Sequence, residues 1–369
     1  MHNLYFDIAA TTPLDTQVAK LMNEIQINIF GNPSSIHQFG QKSRSVIEKS
    51  RRQISKSLNC KPNEIIFTGG GSESNNLVLQ GLLKKGDHFI TSSYEHPAII
   101  NVANKLEKKG IEVSYIKPDS NGIINPDEIE NIIKENTRLI SIMYVNNELG
   151  TINPIYEINQ IAKKNNIKMH TDAVQLIGKK YLDLNDLDVE YLSIAAHKYY
   201  GPKGVGALFI KNGNFLNSVL QGGGQEQKLR PGTENISAIA GMGMATQIAA
   251  ENIDSNSKKI LELESLFLKL LSEKHVKHTI NGNNRIPGIM NITFPSILGQ
   301  NLVMKLDLKG FAVSFGSACS SGTAKPSGVL LELGLSDEEA LRSVRISIGK
   351  FHNADDIYHI VDCIDNALK

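Results

Sequence analysis

From about residue 40 to residue 250, short apolar runs alternate with longer stretches whose hydrophobic positions recur three and four apart. EIIF at 64–67 reads as a strand end, and a Gly-rich turn and a helix over about 73–84 follow it. Further strands are predicted at 87–91, 113–116, 139–145, 167–171, 189–195 and 206–210, with helices between them at 125–135 and 155–165. Such alternation predicts an α/β fold with a mainly parallel sheet covered on both faces. Ligands then bind outside the carboxyl ends of the strands. After residue 250 the pattern changes. A long amphipathic helix over 252–274 leads into HTINGNNRIPGIMNITFP, which reads as turns and strands, and then into a Gly-rich loop and two helices. This part reads as a second, smaller α+β domain.

Length agrees, since 369 residues exceed what one core usually serves. Lys+Arg total 39 and Asp+Glu 38, so the basic excess expected of a nucleic-acid binder is missing. No apolar run approaches the length of a membrane span, and MHNLYFDIAATT does not read as a signal peptide. A cytoplasmic protein is expected. Cys60, Cys319 and Cys363 are too few and too scattered for a disulfide framework or a structural zinc site.

Five segments could carry chemistry. Thr68–Gly69–Gly70–Gly71–Ser72–Glu73 joins a strand to a helix, where glycines and free N–H groups can hold an anion. The bland alternative is a turn with Ser72 as helix cap. His170–Thr171–Asp172–Ala173–Val174–Gln175 puts an acid at a strand end, in the expected crevice; an ordinary loop aspartate would look the same. Ala195–Ala196–His197–Lys198 runs from strand to turn, where desolvation turns a lysine into a nucleophile toward carbonyls. A surface lysine is the competing reading. Cys319 lies in a run of small residues, Ser317–Ala318–Cys319–Ser320–Ser321–Gly322, that leaves a thiol exposed. Cys60 and Cys363 sit in helical or apolar surroundings and read as inert packing thiols. Arg345, alternating with apolar residues in SVRIS, suits a carboxylate clamp or a salt bridge. A lysine, an acid and an anion cradle together are what pyridoxal phosphate requires.

The order and spacing of the motifs are more specific than any one of them. YFDIAATTPLD at 5–15, FGNPSSIHQFG at 30–40, FTGGGSESNN, YEHPAI, VNNELGTI, HTDAVQ, AHKYYGPKGVG, GGGQEQKLRPGTEN, GSACSSG and VRISIGKF span nearly the whole chain. With them the chain resembles the cysteine desulfurases of the NifS/IscS type, fold-type I pyridoxal-phosphate enzymes related to class-V aminotransferases. The resemblance implies a large cofactor-binding domain over 15–255. It implies a small domain of 1–14 and 256–369 that carries the cysteine loop. It also implies pyridoxal 5'-phosphate as cofactor, L-cysteine as substrate, a homodimer, and a sulfur-acceptor protein for iron–sulfur assembly or tRNA thiolation.

Residue by residue, Lys198 matches the lysine that joins the cofactor, and Asp172 the acid on its ring nitrogen. Gln175 matches a donor to the ring oxygen, and His96 the residue stacked on the ring and a proton carrier. Asn147 matches a residue near cofactor and substrate. Gly71, Ser72 (threonine in most of the family) and His197 match phosphate contacts, and Thr233 one donated by the partner subunit. Arg345 matches the clamp on the substrate carboxylate, and Cys319 the thiol that takes the sulfur as a persulfide. The loop around Cys319 matches the longer-loop branch of the family. One departure stands out: Ala195 replaces a phosphate-binding serine of the family's Ser-x-His-Lys pattern. A selenocysteine lyase would share the whole set, an aminotransferase of the same fold would not need Cys319, and a metal site built from His96, His170, Asp172 and His197 lacks a close helical ligand pair.

Overall fold

The computed structural model describes residues 4–316 and 325–369, so Cys319 lies outside the described residues. Seven strands form the larger sheet: β1 (Ile65–Thr68), β2 (His88–Ser92), β3 (Glu112–Ile116), β4 (Thr137–Ser141), β5 (Lys168–Asp172), β6 (Tyr191–Ala195) and β7 (Gly206–Ile210). Their order is β1-β7-β6-β5-β4-β2-β3. All neighbouring pairs are parallel except those of β7, which runs against both β1 and β6.

Both faces of this sheet are buried, and the side chains divide strictly. Phe67, Ile90, Ile140 and Leu192 belong to one apolar cluster; their chain neighbours Ile66, Phe89, Leu139 and Tyr191 belong to another. A two-residue period therefore feeds two cores at once, so these strands read as continuous apolar runs.

The expected strand over 139–145 stops at Ser141. Beyond it the buried Glu95 carboxylate takes the Met143 N–H, and the Tyr144 N–H bonds to the Asp172 carbonyl, so the chain bends over the strand ends. The helix expected over 125–135 is only Pro126–Asn131. The helix Ile236–Glu251 has no amphipathic stripe in sequence because it is enclosed nearly all round; its small residues let Gly241 and Gly243 pack against Met22 and Ser50.

A second, antiparallel sheet has the order β10-β9-β8, with β8 (Thr279–Asn281), β9 (Ile289–Thr293) and β10 (Ser343–Ser347). It packs with Phe6, Phe267, Phe294 and Ile360 in a separate apolar cluster. The N-terminal segment joins it through bridges of Asp7 to Ser347 and of Tyr5 to Ala312. Cys60 and Cys363 are partly buried against the cores; burial, with Glu64 nearby, pushes the Cys60 thiol up to about 12. Among the described residues no helix is long and apolar enough to cross a membrane.

The loop of the GGGQEQKLRPGTEN motif returns to the start of the sheet. Arg51 grips Glu226 with two bonds of 2.9 and 2.6 Å, and the Phe67 N–H donates to the same carboxylate at 2.7 Å. This anchor holds Glu226, Gln227 and Lys228 at φ values of 44°, 58° and 67°. Side chains there clash with their own backbone, and glycine does not. Lys228→Gly should therefore stabilise the fold by about 0.5–1 kcal/mol, net of the greater freedom glycine gives the unfolded chain. Denaturant unfolding should show a higher midpoint with an unchanged slope.

Candidate active site

The parallel strands end along one edge, and the loops that follow them converge there. Gly71 and Ser72 come from β1, His96 from β2, Asn147 from beyond β4, Asp172 and Gln175 from β5, and His197 and Lys198 from β6. All eight line one cavity of about 210 Å³, together with Ala10, Asn75, Met143, Val145, Val174 and Ala195. Among the described residues no three His, Cys, Asp or Glu side chains converge to hold a metal ion.

The helix Gly71–Leu82 opens onto this cavity. Its cap is Gly70, without a side-chain cap bond, so Ser72 lies inside the first turn and is not the cap. Orphan N–H groups at such a helix start, aided by the helix dipole, favour an anion. Gly71 has to be glycine on steric grounds, since a Cβ there would meet Val174 Cγ2 at 2.7 Å. Glu73 turns away from the cavity. Its carboxylate accepts from the Gly69 N–H at 2.7 Å and pairs with Arg230 at 3.1 Å.

Asp172 is buried and fixed by Asn75, which donates to Oδ2 at 2.7 Å, and by the Val174 N–H, which donates to Oδ1 at 3.0 Å. Asn75 escaped the sequence reading. Its position, three and four residues after Ser72 and Gly71, places it on the same helix face, and that spacing was the available signal.

His96 caps the next helix: its Nδ1 accepts from the Ala98 N–H at 3.1 Å, so the neutral ring carries its proton on Nε2. Burial lowers its pKa, against Asp172 and with Lys198. His197 is pushed down to about 4 by burial and then by Lys198, Lys203 and Lys179. Both rings are therefore neutral at neutral pH. Its Nδ1 lies 3.1 Å from Thr11 Oγ1.

Lys198 follows β6 in a turn of 3₁₀ helix, and its ammonium bonds to the carbonyls of Ala9 at 2.7 Å and Ala10 at 2.9 Å. Arg345 is buried beside the cavity. It donates to the Asn147 carbonyl at 2.8 Å and to Asp7 Oδ1 at 2.7 Å, while its Nε is buried without a partner. A buried unpaired donor costs roughly 1–3 kcal/mol, which a carboxylate placed there would recover. Asp7 too was missed, because nothing in its spacing links it to a residue more than 330 positions away. Thr233 stands apart, exposed on the surface and outside the cavity lining. Next to Asn147, Glu148 accepts from Ser327 at 2.5 Å.

An aminotransferase class-V family model matches residues 4–360. A cysteine desulfurase IscS of Dictyoglomus turgidum is 41% identical over 372 residues, covering 99% of this chain and 94% of that protein. Among solved structures, a NifS-like protein superposes with a TM-score of 0.92 at 34% identity, over 98% of each chain. SspA, solved in complex with cysteine, gives a TM-score of 0.84 at 37% identity over 95% of this chain and 99% of that one. With a cavity whose residues suit pyridoxal phosphate and with these relatives, the chain belongs to the aminotransferase class-V family, among its pyridoxal-phosphate-dependent cysteine desulfurases.

Proposed function

We propose that this cavity converts L-cysteine to L-alanine and passes the sulfur, as a persulfide on Cys319, to an acceptor protein. One observation carries the reading: the Lys198 amine, the fixed Asp172 carboxylate and an uncapped helix start face a single cavity of about 210 Å³. Pyridoxal phosphate, when bound, supplies a carbonyl that condenses with amines and a ring that accepts the electrons of a carbanion.

The protein's residues then divide the work. The N–H groups at Gly71 and Ser72, the Ser72 hydroxyl and His197 would hold the phosphate, with Thr233 of the partner subunit. Asp172 would keep a proton on the ring nitrogen, and Gln175 would donate to the ring oxygen. His96 would serve beside the ring as a proton carrier. Lys198 Nζ takes the substrate α-proton and returns one. Arg345, with its unpaired Nε, takes the substrate carboxylate beside Asn147. The Cys319 thiolate attacks the substrate sulfur. An S–S bond forms and the Cβ–S bond breaks, its electron pair leaving with the carbon skeleton that becomes alanine after protonation.

Two further parts belong to the proposal. The chain acts in the cytoplasm, with iron–sulfur assembly or tRNA thiolation as the destination of the sulfur. It also acts as a homodimer, supported by the exposed apolar side chains Phe30, Ile36 and Phe39, of which Ile36 is 91% exposed.

Purified protein should be yellow, and borohydride should fix the cofactor onto Lys198; peptide mapping that places the label elsewhere overturns the lysine assignment.

Cys319→Ser should retain the cofactor and still bind L-cysteine, seen as a spectral change, yet release no sulfide. Cys60→Ser and Cys363→Ser should keep most activity. Sulfide at the normal rate from Cys319→Ser would point to another nucleophile, and keto-acid release in place of alanine to an aminotransferase. A strong preference for selenocysteine would point to a lyase.

Ala195 lines the cavity where the family's serine hydroxyl would stand. Ala195→Ser should tighten cofactor binding by up to about tenfold, if one bond of roughly 1.4 kcal/mol is gained. Thr233→Ala should weaken it. Absorbance followed during dialysis checks both; unchanged retention in both variants would mean that the phosphate is held mainly by backbone amides.

A further inference from the structure

Behind the cavity a second lysine turns inward. Gly178, at φ +77°, reverses the chain after the Asp172–Gln175 loop, and a Cβ there would meet Tyr199 Cβ at 2.8 Å. The turn brings Lys179 back beneath Gln175. Its ammonium donates to the Gln175 carbonyl at 2.9 Å and to Gln175 Oε1 at 2.7 Å. On the other side of the same carboxamide, Gln175 Nε2 donates to the Ala9 carbonyl at 2.7 Å. That carbonyl also accepts from Lys198.

This arrangement decides which way the amide points. Turned over, Nε2 would face the Lys179 ammonium, and Oε1 would face the Ala9 carbonyl. Both bonds would become repulsions between like groups in a buried place. An ammonium has no acceptor to offer, so only one orientation is compatible with it. The carboxamide oxygen is then taken up by Lys179, and one N–H by Ala9. The N–H that remains is a donor, and Gln175 lines the cavity.

We propose that Lys179 is a positioning residue for the cofactor: by locking the Gln175 carboxamide it ensures that the cavity wall presents a donor, and never an acceptor, to an anionic ring oxygen. The inference rests on the cavity being the pyridoxal-phosphate site. Without Lys179 only the Ala9 carbonyl would hold the carboxamide, and an amide turned over would repel the same oxygen. Burial first, and then Lys198 and Arg345, lower the Lys179 pKa to about 7; the lock belongs to the cationic form, since a neutral amine has a lone pair and can also accept.

The test uses the visible absorbance of the bound cofactor, titrated with pH in the holoenzyme. A donor at the ring oxygen favours the deprotonated chromophore. Lys179→Met should therefore raise the midpoint by at least about half a unit, a roughly threefold tighter hold on the proton. Gln175→Ala should raise it similarly. Lys179→Met placed on the Gln175→Ala background should add nothing, because the lysine acts through the glutamine. Lys179→Arg, which keeps a cationic donor, should stay near the wild-type midpoint. Should Lys179→Met not fold, Lys179→Gln carries the same comparison, with a smaller rise that again vanishes on the Gln175→Ala background. An unchanged midpoint in the Lys179 variants, or shifts that add fully in the double variant, overturns the proposal. A wild-type protein that binds no cofactor at all overturns the site reading instead.

Discussion

The active-site geometry hangs on a short stretch of backbone near the N-terminus. The Ala9 carbonyl accepts from both Lys198 and Gln175, while the Ala9 N–H donates to Ser347 Oγ on β10. Three residues on, Thr12 bonds to the His197 carbonyl through its N–H and its hydroxyl, and that hydroxyl also accepts from the Tyr200 N–H. One short segment thereby spans from the second sheet to the turn that carries Lys198. Each of these bonds is worth about 1 kcal/mol on its own. Their importance is geometric: they fix the Lys198 turn from the side opposite the sheet.

Charge explains why such fixing is needed. Burial first, and then the neighbouring Lys198 and Arg345, disfavour the charge on Lys179. Asp172 faces them from β5, and Asp7 pairs with Arg345. Unbalanced positive charge in a buried place is costly, so an anion such as a phosphate or a substrate carboxylate is favoured there. The two histidines stay out of this balance because burial keeps them neutral. Glu95 stays out of it too: burial pushes it up to about 8, so it supports the bend after β4 as a largely neutral hydrogen-bonding group.

Much of this was legible in the residues. Most strands of the large sheet announced themselves because they are buried on both faces, the edge strand β3 being half exposed, and their helices because each covers only one. Asp172 and Lys198 could be placed because they stand at strand ends, where an α/β sheet collects its ligands. The motif series narrowed the chemistry further than any periodicity could. What stayed hidden was long-range or unpatterned. The Ile236–Glu251 helix is apolar on every side, and a 3.6-residue period has nothing to mark it. The antiparallel direction of β7 depends on a short connection that the apolar pattern does not encode. The pairing of Asp7 with Arg345 is made by tertiary structure alone.

Ala195 shows how these levels meet. In sequence it is one small residue among others. In the structure it stands on the cavity wall, 3.8 Å from where a Gly71 Cβ would lie. A serine there would place a hydroxyl beside the helix start, in a space already served by backbone N–H groups. Those groups are fixed by the helix itself and lose no side-chain freedom on binding an anion. A hydroxyl has to be held in one rotamer to contribute. In the phosphate site proposed above, the backbone cradle is therefore the part that cannot be dispensed with, and the side-chain donors around it are the part that can vary. A chain that keeps Gly71, with no room there for a Cβ, can lose the serine and still hold its cofactor.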